Sequence, residues 1–525
     1  MHSSSGRAGK LLSSGSCRFD SPTRGCCLPS VDDVPHTPQP PTVHSLTRFQ
    51  SEFRLSWPLL VAVALPLSAF GPYLVAGVRT DQAMAYGLAI LSVVVMAMKR
   101  PRLTTSHTIA IMIWSLTIVF GMITTITVPA FRIGGEIAML DNLLLPVAVS
   151  LVMASAVTPQ NRSRLLTMFA TIVVVGTVAN SVISVGQMFG AGLGPVSAWL
   201  PVSGESNAAR SENVGRYMGM LNSPALAGVF YGIALVFVMW LLRTRIILLV
   251  VVTTLIILGA IAAVSKAFIF VCLPIAAIYM VYLLGRYAAG WLLAVGGVGL
   301  LVWRWRDELW LWLRSQLSGW DGFLRMEELL FGEMSITTIT GNRYGETSVV
   351  GPVFESVADK SLVGGLGLSG TGGALDSAWV LAFAVAGSVG VAALAAVIVV
   401  LTVGLWRRRS SLPSHELGLY TAVLAMVIIC SAAAPVFTQN RLTVVLWGIF
   451  AIMLCGATAK GKIAFPSTVD DRGLPTRVER SLGSTNSPSL ARTAPTTGPA
   501  AHSTSPGDFP EEIDRAGTAY TSSRN

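Results

Sequence analysis

Residues 223–264 read S-P-A-L-A-G-V-F-Y-G-I-A-L-V-F-V-M-W-L-L-R-T-R-I-I-L-L-V-V-V-T-T-L-I-I-L-G-A-I-A-A-V. Two long apolar runs are separated only by Arg243, Thr244 and Arg245, and neither run holds a charge. An α-helix rises about 1.5 Å per residue, so about 20 apolar residues cross a hydrocarbon core about 30 Å thick. Each run is hydrophobic around its whole circumference, unlike the one-sided stripe of a helix at the surface of a soluble protein. Two such runs joined by a basic strip read as a pair of membrane-spanning helices with the strip in the cytoplasm.

The same pattern extends in both directions. Further spans are expected at Leu55–Val78, Met84–Met98, His107–Val128, Ile137–Val157 and Leu165–Met188 on the N-terminal side. On the C-terminal side they fall at Ala267–Leu284, Ala288–Trp303, Ala378–Leu405, Gly418–Val436 and Thr443–Thr458. With Ser223–Leu242 and Ile246–Val264 the expectation is an all-α polytopic membrane protein of about twelve transmembrane helices, with a large extracytoplasmic loop before the tenth.

Composition supports this reading. The 525 residues are 52% hydrophobic and 12% charged, with a mean hydropathy of +0.64. Soluble chains carry about 25% charged residues, so half the usual solvating surface is missing. The net charge is +10, from 37 basic and 27 acidic residues. The basic residues sit mostly at the ends of apolar runs, which marks topology rather than nucleic-acid binding. With the N-terminus inside, every cytoplasmic strip is basic: Lys99, Arg100 and Arg102; Arg162 and Arg164; Arg243 and Arg245; Arg286; Arg407 to Arg409; Lys460 and Lys462. Glu416 is the one acid among them. A plasma-membrane protein with both termini cytoplasmic is therefore expected.

Residues 1–54, rich in Ser and Pro, read as a disordered cytoplasmic tail without the apolar core of a secretory signal. The transmembrane domain is expected over 55–462, followed by a second disordered cytoplasmic tail over 463–525. Cys17, Cys26, Cys27, Cys272, Cys430 and Cys455 have neither metal-ligand spacing nor a disulfide framework. No metal site or cofactor is expected.

Two extracytoplasmic segments, 189–222 and 304–375, are too long for simple turns. The second opens with W-R-W-R-D-E-L-W-L-W-L-R from Trp303, the interleaving of Trp and Arg expected of a helix in the headgroup layer, as an anchor or as a guide for a lipid substrate.

Charges at the membrane edge are the candidate functional residues, because burying a charge costs several kcal/mol. On the outer side these are Arg132, Asp141, Arg210, Arg216, Lys266, Arg343, Asp376 and Arg441. Cations converging from separate loops suit a phosphate or diphosphate group; each alone is also compatible with a solvated loop charge. Three patterns stand out. Residues 215–224, G-R-Y-M-G-M-L-N-S-P, place Arg216 where a loop enters a helix, with Asn222, Ser223 and Pro224 as the start signal. Val264 to Ala267, V-S-K-A, is a very short outer turn that holds Lys266 at the membrane face. The late loop carries Arg343, then D-K-S-L-V-G-G-L-G-L-S-G-T-G-G from Asp359, then Asp376. Its glycines lack the strand–turn–helix setting of a dinucleotide site and read as a flexible hairpin that brings backbone close to a ligand. Asp376, at a helix start, is by position an N-cap.

In this order the patterns resemble the O-antigen polymerase and O-antigen ligase superfamily over about residues 174–458. The residues that carry the likeness are Arg216 through Pro224; Ser265 and Lys266 at the tight turn; Arg343 with Ser361 through Gly367; and Asp376 and Ser377 before Gly387 to Gly390. Lys266 stands where Arg is usual, and Asp376 where the ligases have His, so the polymerase branch is the better match. The resemblance implies a membrane glycosyltransferase of polysaccharide biosynthesis. It would polymerise or transfer polyprenyl-diphosphate-linked oligosaccharide at the outer leaflet to a glycan or lipid acceptor. It implies a diphosphate bound by Arg216, Lys266 and Arg343, with Arg210 and Arg441 as lesser candidates, and Asp376 as general base. The rival reading is a transporter or flippase whose basic cavity binds an anionic or lipid-linked substrate without chemistry.

Overall fold

The computed structural model describes residues 56–74, 78–99, 104–127, 135–191, 194, 199, 215–221, 223–317, 320, 322–324, 326–327, 350–368 and 377–455. Both expected tails, most of the two long loops, and Arg132, Arg210, Arg343 and Asp376 lie outside them.

The fold is all-α. In chain order the helices are α1 (Trp57–Ser68), α2 (Thr80–Lys99), α3 (Thr105–Thr127), α4 (Gly135–Ala156), α5 (Arg162–Gly186), α6 (Pro224–Leu241) and α7 (Ile246–Ala262). They continue with α8 (Leu273–Leu284), α9 (Ala288–Arg304), α10 (Arg306–Leu317), α11 (Val350–Lys360), α12 (Ala378–Arg407), α13 (Ser414–Cys430) and α14 (Asn440–Leu454). Six described helices are long and apolar enough to cross a membrane: Thr80–Met98, Thr105–Thr127, Glu136–Ala156, Arg162–Ala191, Pro224–Leu241 and Ala378–Arg407. Shorter apolar helices include α1, α7, α13 and the stretch Phe268–Leu284.

Of the two helices in the 223–264 run, α6 lies at the centre, while α7 exposes Ile246, Ile247, Val250 and Val251. In α6, every residue from Leu226 to Trp240 is buried. It packs against α5, α7, α8, α13 and α14, so its all-round hydrophobicity is met by protein on most sides. By contrast α2 is buried over 22% of its apolar window, against 83% for α6, and so lies at the edge. The tightest pairings are α3 with α12, α2 with α4, and α5 with α7. Between α5 and α7, Gly259 lies so close to Ser181 that an added Cβ would fall 2.6 Å from the serine Oγ. A small residue there brings two backbones together, as dispersion-driven packing in lipid requires.

Several boundaries depart from the sequence expectation, each for a local reason. The first helix stops at Ser68 instead of continuing to Val78, because Gly71-Pro72 breaks it and the chain turns into an isolated antiparallel bridge between Tyr73 and Arg79. Helix α2 begins at Thr80 rather than Met84, and α14 at Asn440 rather than Thr443. Their charged first-turn residues Asp81 and Arg441 are paired inside the protein. Ser377, not Asp376, is the N-cap of α12, accepting from Val380 N.

The described part of the glycine-rich stretch docks on two helices. Residues 361–368 lie along α3 and α12. Helix α12 is broken at Ala386 and Gly387, the latter at φ +57°. The break exposes backbone groups that the loop takes up: Leu366 N donates to Ala384 O at 2.7 Å, Gly367 N to Val385 O at 3.1 Å, and Ser388 N to Leu362 O at 2.9 Å. From α3, Thr124 Oγ1 donates to Gly364 O and Thr125 Oγ1 accepts from Leu368 N. A Cβ on Gly365, at φ +74°, would sit 2.5 Å from Gly387 N. Gly364, Gly365 and Gly367 serve helix–loop contact.

At one end of the bundle Arg162 and Glu416, both buried, form an ion pair between the first turns of α5 and α13. Arg408 Nη1 donates to Met453 O at 3.0 Å nearby. Burial holds the Arg408 guanidinium below its ordinary range. The single acid in the basic strips thus has a specific partner.

Substituting Gly365 or Gly387 by Val is expected to destabilise the protein by about 1–3 kcal/mol, the usual cost of a side chain held in a sparsely populated backbone region. Thermal stability in detergent should fall for both, whereas Gly297→Ala, in open space on α9, should be neutral or slightly stabilising.

Candidate functional site

The opposite end of the bundle holds the segment Gly215–Leu221, which enters α6. It is neither helix nor strand, yet Met218, Gly219, Met220 and Leu221 are buried. Buried backbone without a ladder must find side-chain partners, and this segment has them. Asn180 of α5 accepts from Met220 N at 2.7 Å and donates to Met218 O at 3.2 Å. Gln187, in the π-turn that ends α5, accepts from Gly219 N at 3.0 Å. Gly219 has φ +64°, and a Cβ there would lie 2.4 Å from Asn180 Oδ1. Asn180 is held in turn by Tyr231 of α6, at 2.8 Å, whose hydroxyl also meets Ser184 Oγ at 3.1 Å.

Arg216 and Lys266 are carried by neighbouring stretches of backbone. Tyr217 N donates to Ala262 O at 2.9 Å, joining the residue after Arg216 to the last turn of α7. Then follows the short turn with Val264, Ser265 and Lys266. Val264 adopts φ +45°, a strained conformation for a β-branched residue, and is 1% exposed. Such strain persists only where packing imposes it and clusters at functional sites. Here a small apolar cluster of Val264, Trp320 and Phe323, flanked by Tyr217, Met188 and Trp310, imposes it. Trp320 Nε1 donates to Gly215 O at 2.7 Å, closing the cluster over the start of the Arg216 segment. Arg216 and Lys266 are both half-buried.

Arg441 is differently placed. It is 3% exposed, and its guanidinium donates to Met220 O and, at 3.4 Å, to Trp199 O. It lies over the Tyr73 ring, 5.8 Å from its centroid, and within electrostatic reach of Asp81. Asp81 pairs with Arg79 at 3.2 Å, and Arg79 also reaches Asp141 at 3.5 Å. Asp141 is further held by Gln82 and by Tyr86 Oη at 2.8 Å. Arg79, Asp81 and Asp141 therefore form one ion-paired group between the start of α2 and α4, and Arg441 of α14 lies within electrostatic reach of its Asp81. Arg441 is spent on fixing the 215–221 backbone, and its charge is balanced in the interior.

Arg79 and Asp81 were not among the sequence candidates, nor were Asn180, Gln187 and Tyr231. Arg79 and Asp81 fell inside a gap between two apolar runs, and only the tertiary fold shows that they face Asp141 and Arg441. Asn180 and Gln187 carry one signal, an amide in an otherwise apolar helix. Among the described residues no three His, Cys, Asp or Glu side chains gather as a metal site requires.

Compared with known proteins, the chain matches no family model and no curated protein.

Arg441→Ala or Asn180→Ala should free the 215–221 backbone, since leaving a buried partner unpaired costs about 1–3 kcal/mol. Hydrogen–deuterium exchange of peptides covering 215–221 should rise at least tenfold in both variants. Peptides from the centre of α6 should stay protected.

Proposed function

We propose that this chain is a membrane glycosyltransferase that polymerises polyprenyl-diphosphate-linked oligosaccharide units at the outer leaflet. The supporting observation is that Arg216 and Lys266, distant in sequence, sit on adjoining backbone held by the Tyr217–Ala262 hydrogen bond at one end of the bundle. Twelve spans with both termini in the cytoplasm put that end outside, and put the Arg162–Glu416 and Arg408 end, with its basic strips, inside.

In this scheme an acceptor sugar hydroxyl attacks the donor's anomeric carbon. The new glycosidic C–O bond forms as the bond to the diphosphate breaks, and the lipid diphosphate leaves with the bonding electrons. Arg216, Lys266 and Arg343 neutralise the charge that develops on it, an electrostatic contribution made by preorganised donors. Asp376 takes the proton of the attacking hydroxyl. Arg210 is an auxiliary cation. Arg441 acts at one remove, by holding the Arg216 segment in place. Buried polar bonds on 215–221 and imposed strain at Val264 suit this role, since catalytic cations have to be fixed before charge develops.

Glycan chain length in a deletion strain complemented with each variant tests this. Arg216→Ala and Arg343→Ala should reduce polymer at least ~10²-fold, leaving single repeat units on the lipid carrier. Both proteins should still insert into the membrane, and Lys266→Arg should retain activity. Unchanged chain lengths in both alanine variants would sink the mechanism. Long polymers stranded on the carrier in the deletion strain would indicate a ligase, and loss of lipid-linked units from the outer leaflet a flippase.

A further inference from the structure

Helix α10, Arg306–Leu317, follows α9 with only Trp305 between them. Its Trp310, Leu313 and Leu317, spaced i, i+3 and i+7, pack on the cluster of Val264, Trp320 and Phe323. The Trp310 ring stacks on Phe323 with centroids 4.8 Å apart, and Trp310 Nε1 donates to Glu327 Oε1 at 3.0 Å. This face is fully used. Beside it runs a second apolar stripe, Trp305, Leu309 and Trp312, spaced i, i+4 and i+7, and 59%, 40% and 58% exposed. Asp307, Glu308 and Ser315 lie away from this stripe and are exposed, with Leu311, 64% exposed, between them.

We propose that Trp305, Leu309 and Trp312 form a membrane-binding face that seats α10 flat in the boundary between headgroups and acyl chains, on the side of the bundle that carries Arg216 and Lys266. The occupant follows from continuity. Helix α9, which leads into α10, exposes Leu293, Leu300 and Leu301, at 77%, 71% and 62%. In a multi-pass membrane protein acyl chains cover such leucines, and the α10 stripe begins where α9 ends. Two indoles with exposed Arg304 and Arg306 beside them match the chemistry of that boundary, where an aromatic ring meets hydrocarbon on one side and water on the other and a guanidinium reaches phosphate. Because the adjoining face of α10 packs on Trp320, which in turn bonds Gly215, the seating also sets the height of the Arg216 segment relative to the lipid surface. This rests on the membrane character of the chain and not on the glycosyl-transfer reaction.

The test is tryptophan emission of the full-length protein in nanodiscs, compared with W305F/W312F, so that the difference spectrum reports these two indoles. Both are on the exposed stripe, so phenylalanine leaves the packed face intact. Lipids brominated high on the acyl chain should roughly halve the difference emission, deep bromines should quench it less, and aqueous iodide least of all. Emission quenched by iodide and indifferent to bromolipid would overturn the proposal by placing the stripe in water. Emission reached by neither would overturn it in favour of a protein partner or a second copy. If the double variant fails to insert, W305F and W312F singly give the same readout one residue at a time. Glycan polymerisation plays no part in the measurement, so this result and that of the chain-length assay are independent.

Discussion

A backbone amide or carbonyl that leaves regular helix inside an apolar bundle has to be paired, and this constraint organises the molecule. Two of the described segments that leave it show how. Residues 215–221 are paired by an asparagine, a glutamine, an arginine and a tryptophan drawn from three separate parts of the chain. Residues 361–368 are paired by a helix that breaks to offer its own carbonyls. In lipid an unpaired group costs several kcal/mol, so irregular backbone is tolerated only where protein encloses it. Buried Asn180, Gln187 and Arg441 gather at the first departure and Thr124 and Thr125 at the second.

The ion pairs of Arg79 with Asp81 and Asp141 lie beside the first of these segments. An arginine buried to 3% exposure is costly unless its charge is balanced, and Asp81 of α2 is the acid within electrostatic reach of Arg441. In return the guanidinium gives Met220 O a donor that no neutral side chain at that distance replaces. The charge network and the irregular segment support one another, which is why Arg441, isolated in sequence, reads as a ligand for phosphate but in the fold reads as a brace for Arg216.

Strain and packing are similarly linked on the other side of the segment. Val264 holds a positive φ because Trp320, Phe323 and Tyr217 close over it, and the same cluster carries α10. The backbone that carries Arg216 is thus held by α5 and α14 on one side and by α7 and Trp320 on the other.

The all-α class was legible in the sequence, because about twenty uncharged apolar residues have only one economical conformation in hydrocarbon; the central place of α6 was not. That G-R-Y-M-G-M-L leads into a helix and that V-S-K-A is a tight turn was legible as well, from the start signal at Ser223 and Pro224 and from the short gap between two apolar runs. The early end of α1, the start of α14 at Asn440, the cap at Ser377 and the docking of the glycine run were not. Each depends on a partner far away in sequence: Gly364 on Thr124, Arg441 on Met220, Ser377 on Ser431. Hydropathy is a property of a local window and fixes which segments leave water. Which polar atoms meet once they have left is decided by the packing of helices against one another, and no local window contains that information.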